Sequence, residues 1–207
     1  MKNLVVIFLL LFSTSGNAQE LNTPFDGHRW EAPYSLPIPK DWTIERFPIP
    51  INFAKQISYK GVEDIRFTPG WAKPKSDEYW TYAFLWWLDD SPETDAKIIA
   101  ENLKAYYTGL FKTNTDSTKI PAGILIPVTT SFKESATAKS DLKTFTGTIK
   151  MNDYMQLKPI TLNCVAHLKF CEEGNKTILF YELSPQPFTH NIWLSLNQLW
   201  LDFKCKK

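Results

Sequence analysis

Tyr79-Trp80-Thr81-Tyr82-Ala83-Phe84-Leu85-Trp86-Trp87-Leu88 is the stretch on which the fold turns. Successive side chains of an extended chain point to opposite faces. One parity here carries Trp80, Tyr82, Phe84, Trp86 and Leu88, and the other carries Tyr79, Thr81, Ala83, Leu85 and Trp87. A strand with one wet face would alternate apolar and polar residues, whereas both faces here are largely apolar. The stretch therefore predicts a central strand covered on both sides.

Two amphipathic stretches supply the cover. Asp89-Asp90-Ser91-Pro92-Glu93 reads as a helix start, with Ser91 as N-cap, Pro92 in the first turn and acids beside the positive end of the helix. Ile99, Leu103, Tyr106 and Leu110 then form one stripe, flanked by Tyr107 and Phe111, as far as about Lys112. The second helix is expected from about Thr189, with Ile192, Leu196, Leu199 and Phe203 on one face, widened by Trp193 and Trp200. Leu194 and Leu201 fall nearly opposite. They lie under another element or form a small exposed apolar patch.

The rest of the chain reads mainly as hairpins. Thr144–Met151 alternates, with Phe145, Gly147, Ile149 and Met151 on one side. Ile160–Phe170 places Ile160, Leu162, Cys164, Ala166, Leu168 and Phe170 inward and Asn163, His167 and Lys169 outward, and Thr177–Leu183 returns after the loop Glu172–Asn175. Ile124–Phe132 has strand character interrupted by Pro127. Ile57–Phe67 reads as a strand pair turned at Lys60-Gly61 and closed by Thr68-Pro69-Gly70. Residues 24–50 carry six prolines, which lack an amide donor, so short edge strands and extended cover anchored by Trp30, Tyr34 and Trp42 are expected there. Together these features predict an α+β fold: a mainly antiparallel central sheet flanked by two principal helices, at about 91–112 and 189–204.

The order of elements resembles that of the PsbP/Mog1-like α/β sandwiches. The residues that carry the likeness are Pro39-Lys40-Asp41-Trp42 followed by strands, the helix Ser91–Phe111, the hairpin Thr161–Leu183 and a helix ending at Asp202-Phe203. The resemblance implies a sheet layered with helices. Proteins of that shape serve photosystem assembly, nuclear transport and envelope roles, so the resemblance implies no single activity.

The N-terminus predicts export. Lys2 precedes an apolar run from Leu4 to Phe12, followed by small and polar residues with Gly16 and Ala18 at the −3 and −1 positions before Gln19. That run is less than half of the ~20 residues a membrane span needs, so residues 1–18 read as a signal peptide removed after Ala18. The mature chain, 19–207, is then a single domain in the periplasm or outside the cell, without a transmembrane segment. Removal takes Lys2 and no acid, leaving 22 basic against 22 acidic residues. A neutral chain of mixed signs has no electrostatic footprint for nucleic acid.

Three cysteines remain. Cys164 is inward and reads as a free core thiol. Cys171, outward at the strand's end, is expected to pair with Cys205, just past the terminal helix, if that helix packs beside the hairpin. The spacing of these cysteines and of His28, His167 and His190 matches no zinc site, so no metal is expected; isolated glycines argue against a nucleotide loop, and no cofactor is expected.

No nucleophile elbow is present, and Cys164 and His167 point to opposite faces, which leaves no thiolate–imidazole pair. Asp26-Gly27-His28-Arg29 reads as plain surface. Asp89 and Asp90, at the carboxyl end of the central strand, are the remaining acid–base candidates for an envelope hydrolase, although helix capping explains both. The recognition candidates are aromatic: Trp71 after its Pro-Gly turn, with Tyr79 and Trp87 close by in sequence. Alternatively Trp71 plugs the end of the core. The expected function is accordingly non-catalytic binding of a small ligand or an envelope protein through an aromatic-edged surface. A structural or assembly role through Leu194 and Leu201 is the further alternative.

Overall fold

Residues Tyr82–Leu88 form a strand in which every side chain is buried. Around it the computed structural model describes residues 25–206, apart from 117, 119, 121, 122, 124 and 139. The expected signal peptide, residues 1–18, lies outside the described residues.

In chain order the elements are β1 (Tyr34–Ser35), β2 (Thr43–Ile49), β3 (Gly61–Phe67), β4 (Tyr82–Leu88), α1 (Ala96–Asn114), β5 (Thr129–Glu134), β6 (Lys143–Asp153), β7 (Lys158–Cys171), β8 (Lys176–Ser184), α2 (Ile192–Asp202) and β9 (Lys204–Cys205). Seven strands make one sheet in the order β2-β3-β4-β8-β7-β6-β5, and every neighbouring pair is antiparallel. A two-stranded ribbon, β1 with β9, joins the start of the described chain to its end.

The two parities of β4 feed two cores. Tyr82, Phe84, Trp86 and Leu88 pack with Ile99, Leu103, Tyr106 and Tyr107 of α1 and with Phe145, Ile149, Leu162 and Leu179 of the sheet. Ala83, Leu85 and Trp87 pack on the opposite face with Ile178 and Phe180 and with Leu196, Leu199 and Trp200 of α2. The helices therefore lie on opposite sides of the sheet. Each buries its apolar stripe, and Leu194 and Leu201 are left exposed on the outer face of α2.

Several boundaries differ from expectation for local reasons. The expected hairpin at Lys60-Gly61 does not form. Only Gly61–Phe67 is a strand, and its partner comes from the proline-rich lead-in, where Thr43–Ile49 pairs along its whole length. Pro48 is tolerated because β2 is a sheet edge, where an absent amide faces no strand. The first helix begins four residues later than Pro92. Ser91 is taken up by Thr177, whose hydroxyl donates to the Ser91 hydroxyl at 3.3 Å, and Asp95 caps instead, accepting the Ile98 amide at 2.8 Å. The last helix starts at Ile192 because residues 187–190 form a turn in which the His190 amide donates to the Pro187 carbonyl at 2.8 Å.

Cys171 and Cys205 form a disulfide, with Cα atoms 5.9 Å apart, and Cys164 is free and buried. The bond ties the β7–β8 hairpin to β9, and hence to the lead-in that β9 pairs with.

Gly109 shows how closely α1 approaches the segment after β2. A Cβ there would stand 1.8 Å from the Phe53 carbonyl oxygen. In a free helix Gly109→Ala would gain about 1 kcal/mol of propensity. Here the clash reverses the sign, and urea unfolding is expected to show a net loss of about 2 kcal/mol. A stabilised variant would contradict the close approach.

Candidate functional site

The open end of the α1-side core forms a cleft. Its floor comes from alternate residues of three adjacent strands: Glu45 and Phe47 of β2, Ile65 and Phe67 of β3, and Tyr82 of β4. One wall is α1, through Tyr106, Leu110 and Asn114 on one face of its last turns, with Phe53 beside them. Trp80 and Tyr154 close the far side, their rings edge to face at 5.1 Å. The space is about 300 Å³, and eight of its twelve lining side chains are aromatic.

Trp71 stands at the mouth. Its ring stacks on Phe67 at 4.4 Å, and it is only half buried. The loop that carries it is a run of tight turns. The Trp71 amide donates to the Thr68 carbonyl at 3.2 Å, the Lys73 amide to Gly70 at 2.9 Å and the Ser76 amide to Lys73 at 2.9 Å, and the Trp80 amide donates back to the Trp71 carbonyl at 2.8 Å. The Trp71 backbone is thus fixed by the turns, and its indole rests on the Phe67 ring. Such a site is pre-formed, and it loses little entropy when a flat group enters.

Beneath the cleft is a buried acid. Glu63 of β3 is fully buried and accepts a 2.7 Å hydrogen bond from the Tyr106 hydroxyl, while its Oε2 has no hydrogen-bond partner among the described residues. Burial pushes its carboxyl up to about 8, and the Tyr106 bond and the Trp86 indole offset this only in part. Glu63 is therefore largely protonated at neutral pH. This keeps the core under the cleft uncharged.

The structure distributes the expected site residues unevenly. Trp71 lines the cleft. Tyr79 flanks it, its hydroxyl donating to Asp153 at 2.5 Å. Trp87 does not join them, because it is 5% exposed in the opposite core, its ring 4.9 Å from that of Tyr34. Strict alternation would have put Tyr79 and Trp87 on one face. Trp80 breaks it with a left-handed backbone (φ 55°), and that rotation turns Tyr79 away from the Trp87 side. Asp89 and Asp90 lie at the other end of β4, roughly 30 Å of extended chain from Trp80. Both are exposed, and Asp89 pairs with Lys176 at 2.6 Å. With Asp95 as the helix cap, neither acid caps α1. Asp26–Arg29 is a surface turn in which the His28 amide donates to Asp26 at 3.0 Å.

A second polar constellation escaped the sequence reading. His167, expected at the surface, is 3% exposed beneath α2, stacked on Trp200 at 5.0 Å. Its Nδ1 is 2.7 Å from Asp141 and its Nε2 is 3.3 Å from Glu182, so the imidazole bridges two buried carboxylates. Asp141 also accepts the Trp200 indole N–H at 2.8 Å and the Thr144 hydroxyl at 2.5 Å. Burial pulls the imidazole down, but its bonds to Asp141 and Glu182 together raise it above its usual range. Burial likewise raises Glu182, whereas for Asp141 the bonds from His167, Thr144 and Trp200 outweigh burial and hold it low. The acids sit on opposite edges of the ring, so the cluster clamps loop, sheet and α2 together.

The signal for it was Glu182, a lone acid inside the run Ile178-Leu179-Phe180-Tyr181-Glu182-Leu183. A carboxylate in a strand buried on both faces requires a partner. Asp64 and Arg66 on β3 make a comparable structural pair: Tyr34 donates to Asp64 at 2.8 Å and Arg66 donates to the Pro37 carbonyl at 3.0 Å, which ties the lead-in to the sheet.

Compared with protein-family models, with curated proteins and with solved structures, the chain has no significant match.

Proposed function

We propose that the protein is an exported, non-catalytic binding protein that holds a small ligand with an apolar body in the cleft beneath Trp71. The observation that carries this reading is the half-buried indole stacked at the mouth of an aromatic cavity of about 300 Å³. That volume is at the lower end of the range of small-molecule pockets, and the lining is of the kind such pockets use. Export draws support from the short apolar run at the N-terminus and from the Cys171–Cys205 bond, which suits an oxidising compartment. No helix among the described residues is long and apolar enough to cross a membrane. A hydrolase working through Asp89 and Asp90 draws none, since both lie outside the cleft.

The test uses N-phenyl-1-naphthylamine, an uncharged flat probe that fluoresces on leaving water. The wild-type chain is expected to bind it with micromolar affinity, and Trp71→Ala to weaken binding about tenfold, the loss of one stacked ring. No fluorescence gain with wild type, or equal affinity in the variant, would overturn the reading.

A further inference from the structure

We infer that the cleft selects an organic cation: a small free solute bearing an alkylated ammonium group on an apolar body. The inference rests on the cleft's being a ligand site and names the class of ligand that it takes.

Two observations carry it, one of shape and one of charge. Aromatic rings dominate the lining, and the face of an aromatic ring is the negative pole of its quadrupole. The rings come from separate directions: Phe47 and Phe67 from the floor, Trp71 from the mouth, Tyr106 from the helix and Tyr154 from the far wall. A cation enclosed by several rings is attracted by each, most strongly where water is excluded. Among the lining residues the one ionisable at ordinary pH is an acid, Glu45, and none is Lys, Arg or His.

Glu45, on the β2 edge of the floor, is exposed and makes no ion pair among the described residues. Its neighbour Arg46 is turned to the other face of β2, where it pairs with Asp64 at 3.1 Å. The charge of Glu45 is felt across the cleft: burial, Asp153 and Glu45, in that order, push the Tyr154 phenol above its usual range. An anionic ligand would meet this field with no positive group to receive it. A neutral ligand would use the rings and leave the carboxylate idle. A quaternary ammonium group, which needs no hydrogen-bond acceptor, uses both.

The test is competition against N-phenyl-1-naphthylamine at constant ionic strength. Choline is compared with its uncharged carbon isostere, 3,3-dimethylbutan-1-ol, so that shape is held fixed and charge is not. Choline is expected to displace the probe at about tenfold lower concentration than the isostere. Glu45→Gln, at an exposed edge position, is expected to shrink that ratio several-fold, with each competitor's displacement corrected for the probe affinity measured directly on the variant.

Equal potency of the two competitors, or failure of both to displace a bound probe, would overturn the cation assignment and leave the cleft reading standing. A wild-type chain that does not bind the probe at all would remove both. Co-sedimentation of the protein with phosphatidylcholine vesicles, without displacement of the probe by free choline, would assign the ammonium group to a lipid headgroup and overturn the free solute.

Discussion

Replacing His167 by alanine is expected to destabilise the protein by about 3–5 kcal/mol, measured by urea unfolding at neutral pH. The size follows from what remains. Asp141 and Glu182 stay buried on either side of the vacated ring, 2.7 and 3.3 Å from where its nitrogens stood. Asp141 retains Trp200 and Thr144, but the Glu182 side chain has no other hydrogen bond among the described residues. The loss of stacking against Trp200 adds to the unpaired charge. A second substitution separates the two causes. If charge dominates, adding Glu182→Leu to His167→Ala recovers a large part of the loss, since an apolar pair replaces a stranded carboxylate. A change below about 1 kcal/mol in the single variant would place His167 outside the clamp.

The second large effect is a decline in stability as pH rises. Glu63 has a carboxyl near 8 in the folded protein against an ordinary value of 4.5, so between those values the folded state holds a proton that the unfolded chain has lost. Stability from this group is complete below about 4.5 and disappears as pH climbs through 8. Glu182, also raised, and His167, raised above 6.5, act in the same direction as their folded values are passed. Asp141 acts oppositely, because its lowered value stabilises the fold above its ordinary 3.8 and fails only in stronger acid. The optimum therefore falls in mild acid. Unfolding free energy is expected to drop between pH 5 and pH 9 by on the order of 4 kcal/mol from Glu63 alone. Glu63→Gln, which cannot ionise, is expected to flatten much of that slope and to exceed wild type in stability at pH 9. A wild-type profile flat from pH 5 to 9, or a variant with an unchanged slope, would count against a neutral Glu63.

Much of the fold was legible because period-two patterning is a strong signal where both faces are packed. Phe84 and Leu85, adjacent and both buried, already required a cover on each side of the sheet, and the stripes Ile99–Leu103–Tyr106 and Ile192–Leu196–Leu199 supplied it. Cys171 and Cys205 were legible for the same reason, since direction along a strand survives any error in its partner. What local pattern does not hold is which surface a neighbouring element later covers. His167 does point away from the α1-side core, as its parity requires. Equating that direction with solvent failed because α2 lies over that face. Strand pairing was likewise hidden. Gly61–Phe67 takes its partner from Thr43–Ile49, a segment whose prolines suggested only short strands, and nothing within either segment names the other. The cleft was half visible. Trp71 was identifiable from its turn, but Phe53, Tyr106 and Tyr154 converge on it from distant parts of the chain. The left-handed Trp80 sent Tyr79 and Trp87 to different sides.

The most direct test of ligand binding under Trp71 is fluorine NMR on protein labelled with fluorotryptophan, titrated with N-phenyl-1-naphthylamine. The chain has eight tryptophans, each assigned by a single Trp→Phe variant. Trp71 and Trp80 line the cleft, whereas Trp87, Trp193 and Trp200 belong to the core on the other side of the sheet. The expected result is saturable movement of the Trp71 and Trp80 resonances with those three unmoved. Movement confined to Trp87, Trp193 or Trp200, or none at any tryptophan, would contradict a binding site beneath Trp71.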